Sequence, residues 1–307
     1  MEELKVLTYN VDGLPQELDL NNLPWYFKPI IWIYKLFKKT TIIKINDNPN
    51  ISDNMNKISD YLSKSNTDII GVQEDFNYHS ELVSKLDEYI QGSYIGGFDL
   101  HKLKIGFPIR FKTDGLNIFL NKKLTSLVFK EDIVTWEKAC GYFKHANDKL
   151  TTKGFRYYDV LLNDKYPLNV YVLHMDADYY NPNGCKDVMK DVEARKSQLQ
   201  QLISYIKSET LRGNWNPILI IGDTNSYNKF SWDKENLELN LIHAINHIKG
   251  LTIKEAIPNN FEDCDRIYYI NHELADYELT LKECYFDKEV KLSDHFPLIA
   301  TFEVEEI

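Results

Sequence analysis

Apolar positions along this chain fall mostly in short runs, and only a few stretches carry helical spacing. Residues 4–11 (LKVLTYNV) and 68–74 (DIIGVQE) read as buried strands. Between them Met55, Ile58 and Leu62 recur at helical intervals, which predicts a helix with Ser52 or Asp53 as its N-cap. Further strands are predicted at 115–121, 124–130, 155–162, 168–174, 217–222, 266–271, 279–286 and 296–304. A long helix fits 187–209, where Val188, Val192, Leu199, Leu202, Ile203 and Ile206 mark one face. Many strands with few helices predict an α+β protein. The expected architecture is a four-layer α/β/β/α sandwich of two packed mixed β-sheets flanked by helices. No repeat, low-complexity tract or linker interrupts the pattern, so residues 1–307 are expected to form one domain.

One segment departs from this pattern. Residues 23–37 (LPWYFKPIIWIYKLF) are apolar almost all round, with Lys28 and Lys35 inside and Lys38 and Lys39 behind. They form the heart of an apolar, aromatic insertion at about 20–45. Pro24 and Pro29 are expected to interrupt any long helix. Two readings fit equally: a buried helix or lid on the core, or a segment that touches a membrane surface.

Composition narrows the class. Apolar residues make up 43% and charged residues 27%, as in a globular protein. The 20 Tyr and 15 Phe favour strands. A formal net charge of -10 argues against a general grip on nucleic-acid backbone, although a local basic groove is compatible with it. Lys102, Lys104, Arg110 and Lys112 would suit such a rim, but a solvated loop is the preferred reading. Cys140, Cys185, Cys264 and Cys284 lack the spacing of a zinc site or a disulfide framework, and free thiols are expected. The start MEELKVLTYNV does not read as a signal peptide, and no apolar run reaches the ~20 residues of a membrane span. A cytoplasmic or peripheral-membrane monomer is therefore expected.

Polar residues gather where predicted strands stop. Asn10 closes the first strand and Gln73-Glu74 the second. His174-Met175-Asp176 follows 168–173, and Asp223-Thr224-Asn225 follows ILIIG. Asp294-His295 precedes the last strand. Strand ends that point one way deliver such groups into one cleft.

These motifs, LTYNVDGLP, IIGVQED, YVLHMDAD, IIGDTNS and LSDHFPL, resemble the ordered set of the endonuclease/exonuclease/phosphatase superfamily over residues 4 to about 303. GVQEDFNYHSEL, DGLNIF, KGFRYYDV, LHMDAD and GDTNS further resemble a sphingomyelinase-like subgroup. The resemblance implies Mg²⁺-dependent hydrolysis of a phosphate ester, with Mn²⁺ as a substitute. Glu74, Asn10 and Asp294 would serve the metal, since Mg²⁺ prefers hard oxygen and few carboxylates. Asn10, Asn225 and His174 would contact the phosphate. Asp223 would orient or deprotonate the attacking water. His295 would act as general base or as an imidazolium on the phosphate, and His174 would protonate or stabilise the leaving oxygen. Asp176 would be a supporting group or a solvent-facing loop residue.

The chain departs from the common superfamily pattern before the penultimate strand. Tyr268 stands where many members carry the Asp that orients the catalytic His. Asp265 comes just before Arg266, in the manner of pancreatic deoxyribonuclease, and is assigned as the partner of His295. The expected substrate is a phospholipid headgroup, with the apolar insertion meeting the membrane. The alternatives are an endonuclease or DNA-repair phosphodiesterase, an inositol polyphosphate phosphatase, and an inactive binding module of the same fold.

Overall fold

The structure, a computed structural model, describes residues 3–46, 49–104, 109–124, 128–141, 145–178, 188–258 and 263–307. The first half runs β1 (Glu3–Asn10), β2 (Glu17–Asp19), α1 (Lys28–Lys38), β3 (Ile42–Lys44), α2 (Ile51–Lys64), β4 (Ile69–Gln73), α3 (His79–Leu82), β5 (Tyr89–Gln91), β6 (Asn117–Asn121) and β7 (Val128–Thr135). The second half runs β8 (Gly154–Leu162), β9 (Tyr166–His174), α4 (Val188–Leu211), β10 (Ile218–Asp223), α5 (Ser231–Glu235), a π-helical stretch (Asn236–His243), α6 (Ala244–Asn246), β11 (Leu251–Glu255), β12 (Asp265–His272), β13 (Tyr277–Phe286) and β14 (Leu298–Glu306).

Two six-stranded mixed sheets form the body, in the orders β13-β14-β1-β4-β6-β5 and β11-β12-β10-β9-β8-β7. The pairs β1/β4 and β9/β10 are parallel. Such pairs need a long crossover, which α2 and α4 supply. Period-two alternation divides each strand between two environments. Leu4, Val6 and Ile69 meet Val172, Leu219 and Ile221 between the sheets. Leu7, Ile70 and Val72 face Met55, Ile58 and Leu62 of α2. Ile218 and Ile220 face Leu199, Leu202 and Ile206 of α4. The result is the expected α+β sandwich, with helices outside two packed sheets. Gly71 is required where the sheets approach, because a Cβ there would lie 2.5 Å from Cδ1 of Ile221.

Several local expectations change. Asn50, not Ser52 or Asp53, is the N-cap of α2, and its side chain makes no capping bond. The strand expected at 124–130 is β7, further along the chain. The helix expected from 187 is α4, and residue 187 lies outside the described residues, as does Cys185. Cys140, Cys264 and Cys284 are free thiols. Pro29 does not interrupt a helix. It occupies the first turn of α1, where its missing N–H costs nothing.

The insertion is a small stalk. β2 and β3 pair antiparallel and carry α1 at their far end. Ile31 alone in α1 is buried, so the reading of this segment as a buried helix is overturned. Lys39 in the left-handed region ends the helix, and its N–H bonds the Lys35 carbonyl. No helix among the described residues is long and apolar enough to cross a membrane.

Candidate active site

Strand register assembles the site. Asp223, the last residue of β10, lies opposite His174 of β9 on one side and Asp265 of β12 on the other. In the other sheet Asn10 of β1 lies opposite Gln73 of β4, with Glu74 next in the chain. The parallel pairs thus put the carboxyl ends of β1, β4, β9 and β10 at the same edge of the sandwich. His295 arrives on the loop before β14.

Asn10 ties the two sheets together. Its Nδ2 donates to Glu74 Oε1 and Asp223 Oδ2, each at 3.1 Å, and lies 3.5 Å from His295 Nε2. Asp223 Oδ2 lies 3.5 Å from His174 Nε2 and 3.9 Å from His295 Nε2. His174 Nε2 is 4.0 Å from Glu74 Oε1. Trp136 Nε1 donates to the His174 carbonyl at 2.7 Å and holds that strand end. His295 Nδ1 meets Asp265 Oδ2 at 2.6 Å. Tyr268 packs in the outer core against the helices, on the opposite face of β12. It therefore cannot take the role of Asp265.

Backbone strain gathers here. Asp12, Glu74 and Asn225 all have positive φ, at 50°, 62° and 48°. Non-glycine residues adopt this region at a cost, and such residues cluster at functional sites. At Glu74 it turns the carboxylate off the end of β4 into the cleft, where 18% of the side chain stays open.

The two imidazoles sit in opposite fields. Burial, then the Lys153 cation, hold the His174 pKa well below the ordinary histidine range. Burial also opposes charge on His295, but Asp265 and then Asp223 outweigh it and raise its pKa well above that range. Burial pushes Asp265 up to about 6, although His295 opposes this. Both partners of that pair are thus drawn toward holding a proton. We assign the proton to His295, because Asp223 faces the same ring. Asp223 stays ionised at about 2: its burial is outweighed by His295 and then His174.

Three residues join the site that were given no role from the sequence, although Lys153 lies in KGFRYYDV and Asp12 in LTYNVDGLP. Lys153 Nζ lies 3.0 Å from His174 Nε2 and 2.6 Å from Asp148 Oδ1. Burial opposes its charge, but Asp148, then Glu74, keep it protonated. The signal available was Lys153-Gly154 at the start of a predicted strand. Asp148 is buried and also accepts from Ala177 N–H at 2.9 Å. Asp12 follows Asn10 by two residues, and its N–H donates to Asn10 Oδ1 at 3.1 Å. Burial, then Asp294, push the Asp12 pKa to about 6.

The remaining expected residues are placed differently from one another. Asn225 donates Nδ2 to the Met175 carbonyl at 3.0 Å, and its N–H donates to Asp223 Oδ1 at 2.7 Å. Asp294 is exposed and accepts from Ser293 Oγ at 3.2 Å. It reaches Glu74 only through its charge. Asp176 is buried, not solvent-facing, and accepts from Gln198 Nε2 of α4 at 2.7 Å.

The donors suit a hard divalent cation. Burial raises the Glu74 pKa to about 7, Lys153 and Asn10 oppose this, and Asp294 and Asp12 add to it. Carboxylates crowded in this way gain from a cation. A second group, Asp263, Cys264, Asp265 and His295, has its donor atoms within 4.8 Å of one another. It suits magnesium less. Burial keeps the Cys264 thiol protonated, and His295 Nδ1 is already engaged by Asp265.

Fold and edge cleft together define the endonuclease/exonuclease/phosphatase fold. Sphingomyelinase C from Streptomyces griseocarneus superposes with a TM-score of 0.61 at 16% identity, covering 98% of this chain and 99% of that one. Beta toxin from Staphylococcus aureus, a mutant with bound magnesium ions, gives 0.57 at 16% identity over 97% and 99%. D. rerio TDP2 complexed with a single-strand DNA product gives 0.58 at 14% identity over 98% of each chain. No protein-family model matches the sequence, and no curated protein matches it.

Proposed function

We propose that this chain is a Mg²⁺-dependent phosphodiesterase and that its substrate is a phospholipid headgroup. One observation carries the catalytic reading: two imidazoles in opposite fields, two carboxylates and a buried amide converge within 3.1–4.0 Å contacts of one another. Glu74, with Asn10, would hold the metal, to which Asp294 would add only its nearby negative charge; the metal when bound supplies charge neutralisation and a more acidic water. Ionised Asp223, braced by the Asn225 N–H, orients the attacking water and takes the proton it loses. His295, held by Asp265, presents an imidazolium to a phosphoryl oxygen. His174 stays neutral and accepts at Nε2 from the Lys153 ammonium, whose charge stabilises the leaving oxygen and which supplies the proton that oxygen takes up. Asn10 donates to the phosphate once substrate or metal draws it from Glu74.

The lipid reading is supported by the likeness to a sphingomyelinase, the exposed apolar helix of the insertion and the acidic total charge. The likeness to TDP2 bound to DNA supports a second reading, a nuclease. The deciding assay offers sphingomyelin and glycerophospholipid vesicles, single-stranded DNA and bis(p-nitrophenyl) phosphate, each with Mg²⁺ and with EDTA. Headgroup release that EDTA abolishes and added Mg²⁺ restores is expected. DNA cleavage without headgroup release would move the assignment to the nuclease. No turnover of any substrate would end the enzymatic reading.

Lys153 gives a narrower test. Lys153→Met combined with Asp148→Asn removes both charges of a buried pair together, so neither is stranded. The double variant should melt close to the parent yet turn over an alkyl phosphodiester, whose alkoxide leaving oxygen needs that charge, about 10²-fold more slowly. Parent-like turnover would restrict Lys153 to a structural role.

A further inference from the structure

We propose that α1 is a membrane-docking helix that lies flat in the surface of an anionic bilayer. Around α1, Ile30, Ile33, Leu36 and Phe37 share one exposed face, at 62%, 50%, 60% and 82% exposure. Trp32, at 65%, borders that face, and Trp25, at 76%, stands just before the helix. By helical phase Lys28 and Lys35 follow on the flank beyond Trp32, and Lys39 caps the helix at its C-terminal end. Side chains this large and apolar rarely stand together in water without a partner.

Charge selects the partner. From Leu20 to Asn46 the chain carries five Lys and no Asp or Glu, inside a protein whose net charge is -10. A cationic flank beside an apolar face matches an anionic lipid surface, where lysines meet headgroups and rings enter the acyl boundary. The 11 residues of α1 are too few to span a bilayer, so the helix lies on it.

The stalk links this surface to the chemistry. Gln16, just before β2, accepts backbone bonds from Ile45 and Asn46. Asn46 Nδ2 donates to Asp12 Oδ1 at 2.9 Å, two residues from Asn10. The base of the stalk is thus fastened to the rim of the candidate cleft. The docking itself does not depend on catalysis. Only the delivery of headgroups to the cleft rests on the function proposed above.

Flotation of the full chain with phosphatidylcholine vesicles, with and without phosphatidylserine, tests the docking. The parent should float with the phosphatidylserine vesicles, less so at high salt. Ile33→Asp with Phe37→Asp should weaken partition by about 100-fold or more, because two large apolar side chains leave the lipid. Lys28→Glu, Lys35→Glu and Lys39→Glu together should weaken binding to the anionic vesicles selectively. All these positions are exposed, so melting temperatures and turnover of soluble bis(p-nitrophenyl) phosphate should match the parent. Failure of the parent to bind either vesicle would overturn the proposal, as would partition that both variant sets leave unchanged. A parent dimer in solution that Ile33→Asp with Phe37→Asp converts to monomer would assign the face to a second copy of the chain instead.

Discussion

His295→Ala is expected to lower kcat/KM for a phosphodiester by about 10³-fold, within the usual range for loss of a positioned acid–base group. The ring contacts Asp265 through Nδ1 and faces Asp223 and Asn10 through Nε2. Asp265→Asn removes the main influence that raises the His295 pKa. That pKa then falls, and the protonated fraction at neutral pH falls with it. The alkaline limb of the rate profile should therefore move toward lower pH, which simple loosening of the fold would not produce. The double variant Asp265→Asn with His295→Ala should be about as slow as His295→Ala alone, as expected for residues that act as a unit. Turnover within a few-fold of the parent in His295→Ala would remove His295 from the mechanism.

The largest effect on stability is expected at Asp114. Arg156 is fully buried and donates Nε and Nη2 to the two oxygens of Asp114, both at 2.7 Å. It also reaches Glu131 and the Ser93 carbonyl. Asp114→Ala removes the bidentate partner and leaves the buried guanidinium with Glu131 and the Ser93 carbonyl, both on Nη1, so a loss of about 3 kcal/mol is expected in urea unfolding. Replacing both partners, Arg156→Met with Asp114→Leu, should recover much of that loss. Activity should fall as well, because Gly115, next in the chain, accepts the N–H of Asp75 beside Glu74. A loss below about 1 kcal/mol for Asp114→Ala would mean that the pair is bypassed by water.

The fold was largely legible because period-two burial is written directly into strands such as β1, β4, β9 and β10. The strand-end residues were legible because parallel strands must finish at one edge. What escaped was set by tertiary packing. β11 has clear alternation, with Leu251 and Ile253 buried and Thr252 and Lys254 exposed, but it is short and follows a helix. Lys153 stands in a recognised motif, KGFRYYDV, but its charge has no visible purpose until Asp148 and Glu74 surround it. The ambiguity of residues 23–37 could not be resolved from periodicity, because an apolar helix reads the same whether a core or a solvent-facing stalk receives it. Asp294 was marked by its neighbour His295, yet its side chain stays outside the hydrogen-bonded cluster.

The hydrogen bond from Asn10 to Asp223 spans 213 residues of sequence, and β14 zips directly beside β1. Neither half of this chain holds the whole side-chain cluster. If the proposed function holds, a polypeptide still lacking residues 298–306, which pair with the first strand, is expected to show no turnover. Refolding should therefore restore turnover in parallel with sheet docking and not with earlier helix formation.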